Sequence, residues 1–261
     1  MAGALLARAL PPAKDPTLDA RLRRGEMLLG FAAAMFPDAD ALLDPFSPEF
    51  YITQHRGLTH SFLLTPLWAL LLAALFALRH RKLPPEERAR ARWRLAAVAA
   101  IGVVSHIVLD WITSWGTMFF SPYSWSRYSL DWLFIIDFVL SGLLVLGLLG
   151  AWRAARVSDA RSRWAARAGL LASTAYVLFC GVRHADALEA SRRVLPAGVV
   201  SRAAIPQPLS PDRWLLLGDD GKEVSAAYVD LSRHGGRAPS GGDPLPKKGG
   251  VRSLLVRLAD L

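Results

Sequence analysis

Apolar and polar positions follow one another along this chain in long blocks rather than in short periods. Ser61–Leu78 is an almost unbroken apolar stretch, and Leu95–Leu109 is a second that extends through Trp111. Trp132–Trp152 is a third, broken by Asp137, and Ala168–Val182 is a shorter fourth between Arg167 and Arg183. About 20 apolar residues cross a hydrocarbon core, so the blocks predict four membrane-spanning helices. Ahead of them, Ala2–Leu10 is a short apolar piece, followed by a polar stretch ending in Arg21, Arg23 and Arg24. Met27–Phe36 is apolar for about 15 Å if helical, too short to span, which predicts a half-helix stopped by Pro37. Residues 41–54 read as a loop with Pro45 and Pro48.

Beyond residue 190 the character changes. Pro and Gly become frequent, with short strand-like pieces at Trp214–Leu217 and Val224–Leu231 and an expected flexible insertion around Arg233–Gly250. The predicted fold class is an all-α integral membrane protein with about four transmembrane helices, an N-terminal half-helix and a small, partly β C-terminal region. The expected division is an N-terminal region over 1–60, a four-helix transmembrane domain over 61–185 and an extracytoplasmic region over 186–261.

Composition supports the membrane reading, since the chain is 52% hydrophobic with a mean hydropathy of +0.27. Its net charge of +9 could suit nucleic acid, but the distribution of the arginines argues otherwise. Between Arg79 and Arg94 stand Arg79, Arg81, Lys82, Arg88, Arg90, Arg92 and Arg94 against Glu86 and Glu87. Arg153–Arg167 is similarly basic, whereas Ile112–Leu130 carries Arg127 and no lysine. Short basic loops stay cytoplasmic, so the first span is expected to run inward, the second outward, the third inward and the fourth outward. No nucleic-acid partner is expected; the lipid bilayer is. A lone cysteine, Cys180, allows neither an intrachain disulfide nor a thiolate metal site and reads as a packing residue. The start Met1–Leu10 lacks a basic segment and meets Pro11-Pro12, so no cleavable signal peptide is expected.

That orientation brings chemically active residues to one side. His55 and His60 precede the first span, His106 and Asp110 end the second, and Asp131 and Asp137 open the third. Ionisable groups at such positions are costly in lipid and mark candidate sites. His106 and Asp110, four apart on a helix, share a face and could grip one ion; imidazole plus carboxylate suits zinc, manganese or iron. His55 and His60 are five apart and converge only if one lies in the loop and the other on the first turn. Asp38 and Asp40 would face one centre from an extended segment. Arg56 and Arg127 could neutralise an anionic substrate. Trp111, Trp115, Tyr123, Trp125, Tyr128 and Trp132 make an aromatic belt that anchors the bundle at the interface.

The motifs FPDAD, HRGLTHS, SHIVLDWITSWGT and SPYSWSRYSLDWLFIID resemble those of the bacterial membrane-bound metal-dependent hydrolase family typified by YdjM, over roughly residues 2–140. The resemblance implies an inner-membrane protein and metal-dependent hydrolysis, and it carries over Asp38, Asp40, His55, Arg56, His60, His106, Asp110, Arg127, Asp131 and Asp137. It also implies a Thr-His element before a small-residue helix like AGALLARAL. This chain opens at Met1-Ala2-Gly3, so we expect a native start upstream of Met1 or a site with one ligand fewer.

The expected function is hydrolysis of a phosphoester or other ester at the outer face of the cytoplasmic membrane, the substrate being lipid-linked or phosphorylated. His55, His60, His106, Asp110, Asp38 and Asp40 are the expected ligands of a divalent ion, zinc first. Asp131 or Asp137 is the expected base, with Arg56 and Arg127 beside the substrate. A scaffold with a structural metal site and a metal or proton transporter are the rivals. The transporter would need polar groups near the midplane, where these spans are apolar.

Overall fold

The computed structural model describes residues 1–13, 15–43 and 53–232. The predicted flexible insertion at 233–250 and much of the 41–54 loop lie outside them. Among the described residues, six α-helices precede three strands: α1 (Ala2–Ala9), α2 (Pro16–Met35), α3 (Thr65–Ala77), α4 (Pro85–Ile112), α5 (Phe138–Ala154), α6 (Asp159–Val194), β1 (Ser201–Pro206), β2 (Arg213–Asp219) and β3 (Val224–Asp230). Two compact units result among the described residues: 1–130 with 138–177, and 131–137 with 178–232.

In the first unit, α2 starts where Asp15 caps it, its carboxylate accepting from Thr17 N at 2.8 Å and Leu18 N at 3.3 Å, with Pro16 in the first turn. The predicted half-helix is the apolar second half of this longer helix. The α4 helix likewise starts on Pro85 and runs 28 residues, so its first turns absorb Arg88, Arg90, Arg92 and Arg94 of the basic stretch read from sequence as a loop. Buried Leu29 and Ala33 of α2, Leu72 and Ala73 of α3 and Leu95, Val98, Ala99 and Val103 of α4 form the main core.

Small residues set how closely these helices approach. A Cβ on Gly30 would lie 2.5 Å from the Gly3 carbonyl oxygen, and one on Gly102 would lie 2.7 Å from Ala33 Cβ. Side chains at these crossings would force α1, α2 and α4 apart, which is why interfaces between membrane helices favour small residues. The α2–α4 approach sets the site, because it brings the last turn of α2 against the last two turns of α4.

Two helices, α4 and α6, are long and apolar enough to cross a membrane; α5, and α3 with the short turn after it, are shorter apolar helices. The third apolar block differs from its reading. Helix α5 begins at Phe138, and residues 131–137 are not helical. Asp137 therefore stands just before a helix instead of inside one, and its spacing from Asp131 is not helical.

The second unit holds an antiparallel sheet in the order β1-β2-β3, with Ala204 opposite Leu216 and Leu216 opposite Ala227. Alternation along β2 buries Trp214 and Leu216, which pack with Ala187 and Ala190 of the C-terminal part of α6. The partly β tail is thus present. Its first strand, SRAAIP, was not legible because Ile205 is its one β-branched or aromatic residue, where β2 offers an apolar run behind Trp214 and β3 offers Val224, Tyr228 and Val229.

Candidate metal centre

Four side chains from three chain segments meet: Asp38, His60, His106 and Asp110, each offering a ligand atom within 4.8 Å of the others. Asp38 lies in a 3-10 turn, Pro37–Leu43, that follows α2 directly. His60 ends a second 3-10 turn, Leu58–His60. His106 and Asp110 lie on α4 with His106 Nε2 3.3 Å from Asp110 Oδ2, the i, i+4 pairing that sequence spacing predicts.

Each histidine is turned the same way. His106 Nδ1 lies 2.7 Å from the Ala34 carbonyl oxygen, which belongs to the last turn of α2, where carbonyls lack intrahelical donors. That acceptor fixes the proton on Nδ1 and aims Nε2 inward. His60 Nδ1 lies 3.0 Å from Thr59 Oγ1, and the Thr59 hydroxyl itself donates to Asp40 Oδ2 at 3.0 Å, so the hydroxyl accepts from the imidazole. Both Nε2 atoms then face the carboxylates. His60 Nε2 is 3.1 Å from Asp110 Oδ2 and 3.6 Å from Asp38 Oδ1, and His106 Nε2 is 3.3 Å from Asp38 Oδ1.

Close as they are, these atoms do not align as hydrogen bonds. His60 Nε2, His106 Nε2 and Asp110 Oδ2 are buried without a hydrogen-bond partner, an arrangement that costs free energy unless something else satisfies them. Four N and O ligands about 2.0–2.1 Å from a tetrahedral cation stand about 3.3–3.4 Å apart. The spacings of 3.1, 3.3 and 3.6 Å match that set, so the residues fit a divalent cation. Outer contacts orient both imidazoles, as second contacts around metal ligands commonly do. His60 is fully enclosed, while Asp38 is 45% exposed, which opens the group on Asp38's side.

Arg56 locks the fourth ligand. Its Nη2 is 3.1 Å from Asp110 Oδ1, and its Nη1 donates to Thr113 Oγ1 at 2.9 Å. The residue is buried and holds φ +64, a left-handed conformation uncommon outside glycine. Its neighbours over-determine that strain: Arg56 N donates to Asp40, and Arg56 O accepts from Met118 N at 3.0 Å. Gly57 completes the turn, since a Cβ there would come within 2.7 Å of the Gln54 carbonyl oxygen.

The DAD pair does not act as an extended segment. In a 3-10 turn, residues two apart point about 240° apart. Asp38 accordingly faces His60 and His106, while Asp40 Oδ1 sits 3.0 Å from His55 Nδ1. His55 and Asp40 thus form a pair beside the four-residue group, with the His55 and His60 rings 5.6 Å apart. Burial works to raise both carboxyl pKa values. For Asp38 the contacts with His106 and His60 prevail, and for Asp40 those with His55; both are held below the usual carboxylate range. Arg127 reaches the carbonyls of Gly116, at 3.3 Å, and Thr53, at 3.1 Å, from the loop after α4. Asp131 and Asp137 belong to the second unit and are not members of the group. The Thr59 and Ala34 contacts were missed in the sequence; the threonine of HRGLTHS was the one visible signal.

Apolar helices with outward-facing leucines and a partly buried His/Asp donor cluster at one end of α4 define a helical membrane protein with a candidate metal site. The signature of the YdjM inner membrane protein family matches residues 1–187, and the chain belongs to that family. It is also 28% identical over 112 residues to the uncharacterised protein YfhP of Bacillus subtilis; the match takes in 42% of this chain and 32%, about a third, of YfhP. No solved structure matches the chain.

Proposed function

We propose that this chain is a membrane-bound metal-dependent hydrolase that cleaves a phosphoester or other ester at the extracytoplasmic face of the inner membrane. The observation that carries the reading is the convergence of unpartnered His60 Nε2, His106 Nε2 and Asp110 Oδ2 on the partly open Asp38 carboxylate. Zinc suits two imidazoles and two carboxylates best, with manganese or iron next. When bound, such an ion supplies Lewis acidity, acidifying water and polarising an ester or phosphoryl oxygen.

The protein's own groups do the rest. Ala34 and Thr59 hold the imidazoles in the tautomer that presents Nε2, and Arg56 fixes Asp110. We assign proton transfer to His55, with Asp40 steadying its ring, and charge neutralisation on the substrate to Arg127. Asp131 and Asp137 are the rival bases.

The test is elemental analysis of purified protein with hydrolysis of chromogenic phosphoesters and carboxylic esters. The expected result is about one zinc per chain and metal-dependent turnover. His55→Ala is expected to keep the metal and lose about 10²–10⁴ in kcat, the usual share of a general base. An equal loss in Asp131→Asn or Asp137→Asn with His55→Ala unaffected would move that role. Metal without turnover on any ester would instead favour a non-catalytic scaffold.

Four spans are part of this proposal. Apolar Phe62–Leu64 and Leu78 flank α3, 13 residues long, and extend it towards spanning length, while apolar Trp132–Ile136 precedes α5, 17 residues long, across Asp137. The basic start of α4 and the site at its other end then lie on opposite faces, with the site and the C-terminal region outside. Phe120→Cys should react with a membrane-impermeant maleimide in intact spheroplasts. Labelling confined to inverted vesicles would overturn the orientation.

A further inference from the structure

At the other end of α4 from the metal centre, a groove of about 370 Å³ runs between α3 and α4. Leu70, Ala74 and Ala77 line its apolar part, and Arg81, Arg88 and Arg92 stand at its mouth. Nearby charges are already matched on the opposite side of α4. Arg94 pairs with Glu26 of α2, and Glu87 lies 3.6 Å from Arg21. Arg88 and Arg92, four apart, share the groove-side face. One Arg88 nitrogen, Nη2, donates to the Leu83 carbonyl at 2.9 Å, while its Nε is buried without a hydrogen-bond partner. A carboxylate is missing from the residues lining the groove. Depth is set by Trp93, which is 74% exposed next to Arg92 at the start of the apolar part of α4, where an indole marks the membrane interface.

We propose that this groove binds an anionic phospholipid, its phosphate on Arg81, Arg88 and Arg92 and an acyl chain along Leu70, Ala74 and Ala77. The chemistry is complementary at both ends. Guanidinium forks bind phosphate oxygens bidentately, and basic pockets between membrane helices suit anionic headgroups. Alanines leave room for a chain that larger side chains would fill. About 20 Å of α4 separates Arg92 from His106, so the lipid is not the substrate of the metal centre.

Native mass spectrometry of the delipidated full chain, offered equal phosphatidylglycerol and phosphatidylcholine in detergent, tests this. Phosphatidylglycerol is expected to be retained at least fivefold over phosphatidylcholine. The triple change Arg81→Gln, Arg88→Gln, Arg92→Gln should bring the ratio within twofold, and Ala74→Phe should reduce retention of both lipids. Arg153→Gln with Arg156→Gln, in the other basic loop, should leave the preference intact. Metal content and thermal unfolding, followed in parallel, show that each variant is folded. Equal retention of the two lipids, an unchanged ratio in the triple variant, an equal loss in the Arg153/Arg156 variant, or a groove closed by a second copy of the chain would each overturn the proposal.

Discussion

Replacing His60 with alanine is expected to strip the metal from the purified protein and reduce metal-dependent hydrolysis to background. His60 is completely buried, and its Nε2 has no aligned hydrogen-bond partner, which a cation between it and the Asp110 and Asp38 carboxylates would satisfy. Without it, the Asp38 and Asp110 carboxylates face each other across a smaller donor set with His106 alone between them. Outer contacts of metal ligands are worth about 10–100-fold in affinity, and a ligand itself is worth more. Thr59→Val removes only the hydroxyl that orients His60 and should lose affinity within that smaller range. Because a cation that binds only the folded state raises its stability, zinc should raise the unfolding temperature of wild type and leave the His60→Ala curve in place. Full metal occupancy in folded His60→Ala would remove the metal centre from the account.

The parts of this centre that could be read from sequence are those governed by a single local period. His106 and Asp110 lie on an unbroken helix, where four-residue spacing has one geometric meaning. Asp38 and Asp40 do not, because a 3-10 turn and an extended strand send neighbours two apart in different directions, and DAD is compatible with both. The same limit hid the helix start at Phe138: Trp132–Ile136 is as apolar as α5, and hydropathy does not distinguish an apolar irregular segment from a helical turn. Arg56 was read as a group for the substrate because a guanidinium is always charged and binds an anion bidentately. In the structure its guanidinium contacts Asp110, 54 residues away on α4, a pairing that no local spacing announces. Apolar blocks placed the helices but not their lengths: the shorter blocks Leu95–Leu109 and Ala168–Val182 lie inside the long helices α4 and α6, whereas the longer Ser61–Leu78 and Trp132–Trp152 hold the shorter α3 and α5.

The second large effect is expected from Arg56→Ala, and its sign depends on the metal. The guanidinium is buried against Asp110 Oδ1 at 3.1 Å and Thr113 Oγ1 at 2.9 Å, so alanine leaves a buried carboxylate with one charge partner removed. Breaking such a pair costs about 3–5 kcal/mol when nothing replaces the lost charge. A cation at the centre does replace part of it, because the other oxygen of the same carboxylate, Oδ2, faces His60 and His106. Metal-free Arg56→Ala should therefore unfold at a much lower temperature than metal-free wild type, and zinc should recover more stability in the variant than in wild type. Backbone strain does not explain the difference, since alanine and arginine meet the same penalty at φ +64. Arg56→Lys should fall between the two: an ammonium keeps the charge but lacks the planar fork that reaches Asp110 and Thr113 together. Equal destabilisation with and without zinc would mean that Arg56 serves the fold alone. Such a result would separate the arginine from the metal centre while leaving the four converging ligands untouched.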